Sequence, residues 1–390
     1  MKVARIVSEL DFGGVEKVLA YSLPALQKIP ELELTVVVLG KGGKVSEELE
    51  AEGIRIRILN FNPRIPNFKL LGKLIALLAE LKPDVVHTQG AEANFHGIWA
   101  AKLTKVPRIV GEEIGIPNHH SFWKWVFRWI YKMAHLIIAV AGNVKQKIQE
   151  LGEVEGEKVE VVYNPVCFEG KGKREKGIEN SLSRIHREKE EKKMKFREEV
   201  ERIEKIDEYF VFVTTCRLVP IKNLDSLIQA FGALVKENPD RKLLLRIVGD
   251  GPERENLEFR IQNLELGNQV EMFGFQSNIW PFLQESHAFV LPSLSEGSPV
   301  ALAEAMSVGL LSIVTQVGGA SEILGSSQSG ILIDPLNTLE IQGAMQKILD
   351  LPNQERRAMG ERAKEEAKRF SVENYISSLL DIYRTNLPLS

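Results

Sequence analysis

The chain has 390 residues, long enough for two domains with cores of their own. Hydrophobic residues make up 44% and charged residues 26%, and a net charge of -3 argues against a nucleic-acid partner. Cys167 and Cys216 give neither a disulfide framework nor a metal-ligand spacing, and no run of about 18 apolar residues offers a membrane span.

The first nine residues are too few and too charged for a signal peptide, so a cytoplasmic protein is expected. Short apolar runs predict strands near 3–8, 34–39, 54–59, 84–88, 108–111, 136–140 and 159–163. Helical patterns lie between them, for example at 15–29, 69–81 and 92–103. In the second half, strands are predicted near 210–215, 243–248, 270–273, 288–291, 312–315 and 330–333. Their helices include 224–235, 253–264, 300–307 and 339–349. Alternation of this kind implies a parallel sheet covered on both faces. Met twice, it predicts an α/β protein of two Rossmann-like, doubly wound domains.

Between the halves, residues 169–206 are dense in Lys, Arg and Glu and poor in apolar residues. They read as a solvated insertion, with a docking arm as the alternative. The expected division is 1–166, a charged linker 167–206, 207–372, and a C-terminal helix 373–390 with Tyr375, Leu379, Ile382 and Tyr383 at helical spacing.

In open parallel sheets ligands bind beyond the carboxyl ends of the strands, so the residues after each strand are the ones to read. After the strand at 210–215 come Arg217 and Lys222; after 243–248, Gly249-Asp-Gly-Pro252; after 270–273, Gly274 and Phe275. After 288–291 stands Ser295-Glu-Gly-Ser-Pro-Val-Ala-Leu-Ala-Glu-Ala-Met306, with Glu296 on the loop and Glu304 on the helix that follows. Ser298 reads as the N-cap and Pro299 as the first helical residue, so the free amides there form an anion site between two carboxylates. Arg and Lys on that edge suit a diphosphate, and an anion site beside two carboxylates suggests a sugar or ribose phosphate. In the first half, Gly13 and Gly14 lie between the first strand and the first helix, where backbone can approach an anion. Neither a GxGxxG fingerprint nor a P-loop is present.

This ordered set resembles the retaining glycosyltransferases of family 4, of the two-domain GT-B fold, over nearly the whole chain. Gly13-Gly14 and Glu16, Asp84-Val-Val-His-Thr88, the pair Arg217 and Lys222, Val248-Gly-Asp-Gly-Pro252, Phe273-Gly-Phe275 and the Glu296/Glu304 pair carry the resemblance. It implies a nucleotide-sugar bound in an interdomain cleft. Glu304 would hold the ribose and Glu296 would face the transferred sugar. Gly297, Ser298, Pro299 and Val300 would lie near phosphate and sugar. It implies a glycan or lipid-linked acceptor, and a C-terminal helix that crosses back to the first domain. The sequence departs from the pattern at Gly297-Ser298-Pro299, Lys222-Asn223 and Asn164-Pro-Val-Cys167, and it has Glu113 where many members carry a His. Glu113 and His119 are therefore the candidates on the acceptor side. No Asp-x-Asp occurs, which agrees with a metal-free site and no cofactor beyond the donor. Two other readings stay open: a nucleotide-sugar epimerase of the same fold, and a non-catalytic sugar-nucleotide-binding protein.

The stretch His119 to Lys132 holds three of the five Trp, and His120, Lys124, Arg128 and Lys132 form a basic stripe at helical spacing. It reads as a core helix, or as an interfacial helix meeting the anionic inner face of a membrane. His87, His96 and Cys216 read as packed structural residues.

Overall fold

The computed structural model of the chain describes residues 1–11, 14–117, 119–168 and 208–385. Gly13 and residues 169–206 of the charged linker lie outside the described residues. Two all-parallel sheets are present. The first has seven strands in the order β3-β2-β1-β4-β5-β6-β7 and the second has six in the order β10-β9-β8-β11-β12-β13.

In the first sheet the strands are β1 (Lys2–Val7), β2 (Glu33–Val38), β3 (Arg55–Ile58), β4 (Val85–Gln89), β5 (Arg108–Glu113), β6 (Leu136–Ala139) and β7 (Val159–Val161). In the second they are β8 (Phe210–Thr215), β9 (Leu243–Val248), β10 (Val270–Gly274), β11 (Ala288–Leu291), β12 (Leu311–Thr315) and β13 (Gly330–Ile333). The central strands β4, β5, β9, β11 and β12 are buried at every residue, so none shows the in-and-out alternation of a half-exposed strand; β11 reads as a continuous apolar run, while β4, β5 and β9 also bury His87, Arg108, Glu112 and Arg246. Strand order reverses between β1 and β4 and between β8 and β11, so each sheet has its crevice at those carboxyl ends.

Helices Phe68–Leu81 and Ser121–Met133 and the helical segment 91–103 cover one face of the first sheet, where Leu74, Ile98 and Ile130 join one core with Ile6, Val37 and Ile109. The other face carries helices Gly14–Gln27 and Val372–Arg384. The core on that side is continuous into the second sheet, from Leu19, Leu23 and Leu379 to Leu302, Met306 and Val314. Leu227, Phe231, Ile341 and Met345 fill the second sheet's remaining face.

The helix Val372–Arg384 lies on the first sheet although the chain reaches it from the second. At the crossing, Val166 N–H donates to Phe370 O at 2.7 Å. Tyr375 and Tyr383 then bring their hydroxyls to the fully buried Arg5 at 3.3 and 3.4 Å, and Arg108 Nε donates to Ile382 O at 3.1 Å.

One local reading changes. The helix after Glu296 runs Val300–Ser307, with Pro299 at the N-cap in an extended conformation and no side-chain cap. Ser298 is therefore not the cap. Its carbonyl accepts from Asn164 Nδ2 at 3.4 Å and that of Gly297 accepts from Gly319 N–H at 2.8 Å, so the loop is drawn away from the helix by its neighbours.

Candidate active site

The carboxyl edge of the second sheet is built by tying successive loops together. Leu218 N–H donates to Asp250 O at 2.9 Å, Gly249 N–H to Gly274 O at 2.8 Å, and Leu294 N–H to Ile221 O at 2.8 Å. Gly249 has φ +144°, and a Cβ there would lie 1.8 Å from Cys216 O, so a side chain would force the β8 and β9 loops apart.

Within this edge Lys222 Nζ stands 2.6 Å from Glu296 Oε1, and Ser293 Oγ donates to the same oxygen at 2.7 Å. Lys222 ends a single 3-10 turn, Pro220–Lys222, and Asn223 behind it adopts a left-handed conformation. Arg217 is exposed on the β8 loop. Its charge works against the burial that raises the Glu16 carboxyl, so it acts across the cleft on the first helix. Burial pushes the Cys216 thiol up to about 11, which suits a packed residue and not a nucleophile.

Glu304 is fully buried and its partners come from the other domain. Lys17 Nζ lies 2.6 Å from Oε1 and 2.7 Å from Oε2, and Tyr21 OH donates to Oε1 at 2.7 Å. Both side chains sit on helix Gly14–Gln27, four residues apart on one face.

The domains meet at other points along the cleft. A Cβ on Gly297 would fall 2.7 Å from Ile114 O, so the loops after β5 and β11 touch where Gly297 stands. Glu322 accepts from Gly142 N–H at 2.7 Å, Asn143 N–H at 2.9 Å and Tyr163 OH at 3.0 Å. A carboxylate of the second domain thus caps the helix Gly142–Glu150 of the first. Lys44 Nζ lies 5.8 Å from the centre of the Phe275 ring, again across the cleft.

The structure therefore gathers Arg217, Lys222, Gly249, Gly274, Phe275, Glu296, Gly297, Ser298, Pro299, Val300 and Glu304 on one edge, opposite Gly14. Glu113 and His119 are bonded within the first domain. Glu113 is 5% exposed and turns inward, where Oε1 accepts from the Tyr131 hydroxyl and from Asn94 Nδ2 at 3.1 Å. Burial raises its carboxyl to about 7. His119 stacks on Phe127 at 4.3 Å and bonds Glu153 Oε1 at 2.7 Å. His87 is packed between Tyr383 and Glu112, and His96 is bonded to the Glu92 carbonyl and the Asn67 N–H.

Lys17, Tyr21, Ser293 and Glu322 also bond within or across this cleft, and sequence reasoning passed over them. For Lys17 and Tyr21 the spacing i, i+4 on the helix after a glycine loop was the available signal. For Ser293 and Glu322 no motif marked the position.

Arg217, Lys222 and the pinned carboxylate of Glu296 thus stand at a strand-end edge between two doubly wound sheets. Comparison with known proteins supplies the family. The model of glycosyl transferases group 1 matches residues 195–366 and that of glycosyltransferase family 4 matches residues 12–169, together most of the chain. The chain belongs to the family 4 glycosyltransferases and is a nucleotide-sugar-dependent glycosyltransferase of the GT-B fold. It is 27% identical over 87% of its length, and 85% of the relative's, to the Escherichia coli UDP-Gal:alpha-D-GlcNAc-diphosphoundecaprenol alpha-1,3-galactosyltransferase. It is 25% identical, over 95% of each chain, to the Campylobacter jejuni N-acetylgalactosamine-N,N'-diacetylbacillosaminyl-diphospho-undecaprenol 4-alpha-N-acetylgalactosaminyltransferase. Among solved structures it shares its fold with Anabaena HepE in complex with UDP, with a TM-score of 0.76, 20% identity and coverage of 98% and 99% of the two chains. A Rickettsia africae glycosyltransferase superposes with a TM-score of 0.79 at 19% identity, over 99% of each chain.

Proposed function

We propose that this enzyme moves a hexose-type sugar from a nucleoside-diphosphate-sugar to a lipid-linked acceptor, with retention at the anomeric carbon and without a metal ion. The observation that carries the reading is the convergence of Lys222, Glu296 and exposed Arg217 on the carboxyl edge of the second sheet. When the bond between anomeric carbon and phosphate oxygen breaks, negative charge grows on the departing diphosphate. Arg217 and Lys222 stabilise that charge in place as it develops, the role a divalent ion fills in other transferases. Glu296, held by Lys222 and Ser293, faces the sugar, and Glu304 holds the nucleotide's ribose. The acceptor enters from the first domain, past the loop at Ile114 that meets Gly297.

The lipid link is supported by the surface beside that entry. No helix of the described residues is long and apolar enough to cross a membrane. Helix Ser121–Met133 buries Phe127, Ile130 and Tyr131 and leaves Phe122, Trp125 and Trp129 at 61%, 68% and 42% exposure. Exposed Arg128 and Lys132 stand among them, and residues 114–149 contain no Asp or Glu. Trp99 packs between Trp129 at 5.1 Å and Phe68 at 6.3 Å, and Phe68 and Leu103 are themselves exposed. Aromatic rings interleaved with bases suit the headgroup level of an anionic leaflet.

The test is transfer from a panel of nucleotide-sugars to undecaprenyl-diphosphate-linked sugars, with the product linkage read by NMR. An α-linked product from an α-donor, formed in excess chelator, is the expected result. Inversion, dependence on added metal, or conversion of the donor without any acceptor would overturn the respective part.

A further inference from the structure

Glu304 is fully buried and its carboxylate already has three close polar contacts, two hydrogen bonds and one ion-pair approach, all from helix Gly14–Gln27 of the opposite domain. A carboxylate offers about four acceptor positions, two on each oxygen. Oε1 takes both Tyr21 OH at 2.7 Å and Lys17 Nζ at 2.6 Å, and Oε2 takes Lys17 Nζ at 2.7 Å. One position is left. A ribose that donates both its hydroxyls to Glu304 needs two.

We infer that Tyr21 is a positioning residue whose hydroxyl holds a place on Glu304 that the donor's ribose takes, so that binding the donor exchanges the Tyr21 hydroxyl for the ribose while Lys17 stays as counter-ion. The inference rests on the reading of Glu304 as the ribose-binding carboxylate.

The exchange is specific to Tyr21. Burial, with the charge of Glu304 adding to it, raises the phenol far above its ordinary value, so Tyr21 is a neutral donor at every working pH. A neutral hydroxyl can leave without stranding the buried charge, because Lys17 remains as counter-ion. Removing Lys17 instead would leave Glu304 uncompensated. Ribose replaces one neutral O–H donor with two, and the cation stays.

Two consequences follow for the cleft. The bonds from Lys17 and Tyr21 to Glu304 join the domains, together with the contacts that Glu322 makes to Gly142, Asn143 and Tyr163. Closure without donor therefore competes with donor binding, and the apparent affinity is lowered by the fraction of enzyme held in the self-occupied state.

The test is the affinity of the Tyr21→Phe variant, an isosteric change, for the nucleoside diphosphate that binds the parent best among UDP, GDP and ADP. We expect about tenfold tighter binding, the equivalent of losing one competing hydrogen bond to a charged group. The donor KM should fall by a similar factor while kcat does not rise with it. With the 2′,3′-dideoxy form of the same nucleotide the gain should vanish, since no hydroxyl then needs the vacated place. Unchanged or weaker ribonucleotide binding overturns the inference, as does an equal gain with the dideoxy form. Glu304→Gln separates the underlying reading: if it leaves ribonucleotide affinity untouched, Glu304 is not the ribose carboxylate and the reading itself fails.

Discussion

Lys222 Nζ is 2.6 Å from Glu296 Oε1, although the two residues come from loops after different strands, β8 and β11. Ser293 Oγ on the same oxygen fixes the carboxylate rotamer, and Thr315 Oγ1 ties the Ser293 carbonyl to β12 at 2.6 Å. The pair is partly exposed, at 20% and 13% of the two side chains, so the ammonium can reach a phosphate placed in the cleft without leaving Glu296 bare.

Lys222→Met should lower kcat by about a hundred- to a thousandfold, the usual cost of removing a donor aimed at developing negative charge. Arg217→Ala should add a large loss of nucleotide affinity, since Arg217 is exposed in the cleft and faces the donor phosphates in our reading. Steady-state transfer rates with calorimetric nucleotide affinities check both. Near-normal turnover by Arg217→Ala would remove the basis of the assignment.

Arg5 makes a separate, structural prediction. It is buried on β1, with Glu112 Oε2 at 3.0 Å, Gln89 Oε1 at 3.2 Å and the hydroxyls of Tyr375 and Tyr383 from the C-terminal helix. Replacing it with Met strands the buried Glu112 charge and unties the returning helix. A loss of about 3–5 kcal/mol is expected, read as a lowered midpoint in urea or heat. The double variant Arg5→Met, Glu112→Leu should recover much of it, because the orphaned carboxylate is then gone.

The sheets were legible because both are parallel and covered on two faces. A strand such as Ala288–Leu291, buried at every residue, reads as an apolar run, and the residues after it lie at the carboxyl edge where open parallel sheets form their cleft. That rule picks out Lys222 and Glu296 as candidates, and Glu304 enters through its spacing from Glu296 on the helix that follows. Lys17, Tyr21 and Glu322 could not be found this way, because their partners lie in the other domain and no local pattern states how two sheets face each other. Glu112 and Glu113 show a finer limit. Adjacent strand residues point to opposite faces, so one carboxyl meets Arg5 and the next meets Tyr131, and only the assignment of faces separates them. Ser298 was misplaced by one residue of helix start because loop carbonyls bonded to Asn164 and Gly319 outweigh a capping preference.

Glu113 predicts how stability responds to pH. Burial raises its carboxyl from the ordinary 4.5 to about 7. Below pH 4.5 the group is protonated in both folded and unfolded chains and costs nothing. Between about 4.5 and 7 the unfolded chain releases the proton while the folded one keeps it, so this group's contribution makes stability fall as pH rises. Glu113→Gln keeps an oxygen for Tyr131 and Asn94 and has no proton to lose. The parent's melting temperature relative to the variant should decline across pH 4.5–7 and level off above it. A difference independent of pH would show that Glu113 is not held protonated.

The aromatic and basic face of helix Ser121–Met133 makes the last prediction. Each base near an anionic surface contributes about 1 kcal/mol, so turning Lys124, Arg128 and Lys132 into Glu should lower binding to phosphatidylglycerol vesicles at least about a hundredfold. Trp125→Ser tests the other half of the surface. Its ring is 68% exposed, so the substitution costs little folding stability while removing an anchor from the interface. Both variants should keep the parent's nucleotide affinity, because the helix packs in the first domain's own core and not in the core that continues into the second domain. Sedimentation with anionic and neutral vesicles reads the outcome. Equal binding by parent and triple variant, or none by the parent, would mean that the acceptor reaches Ile114 and Gly297 without this face touching a membrane.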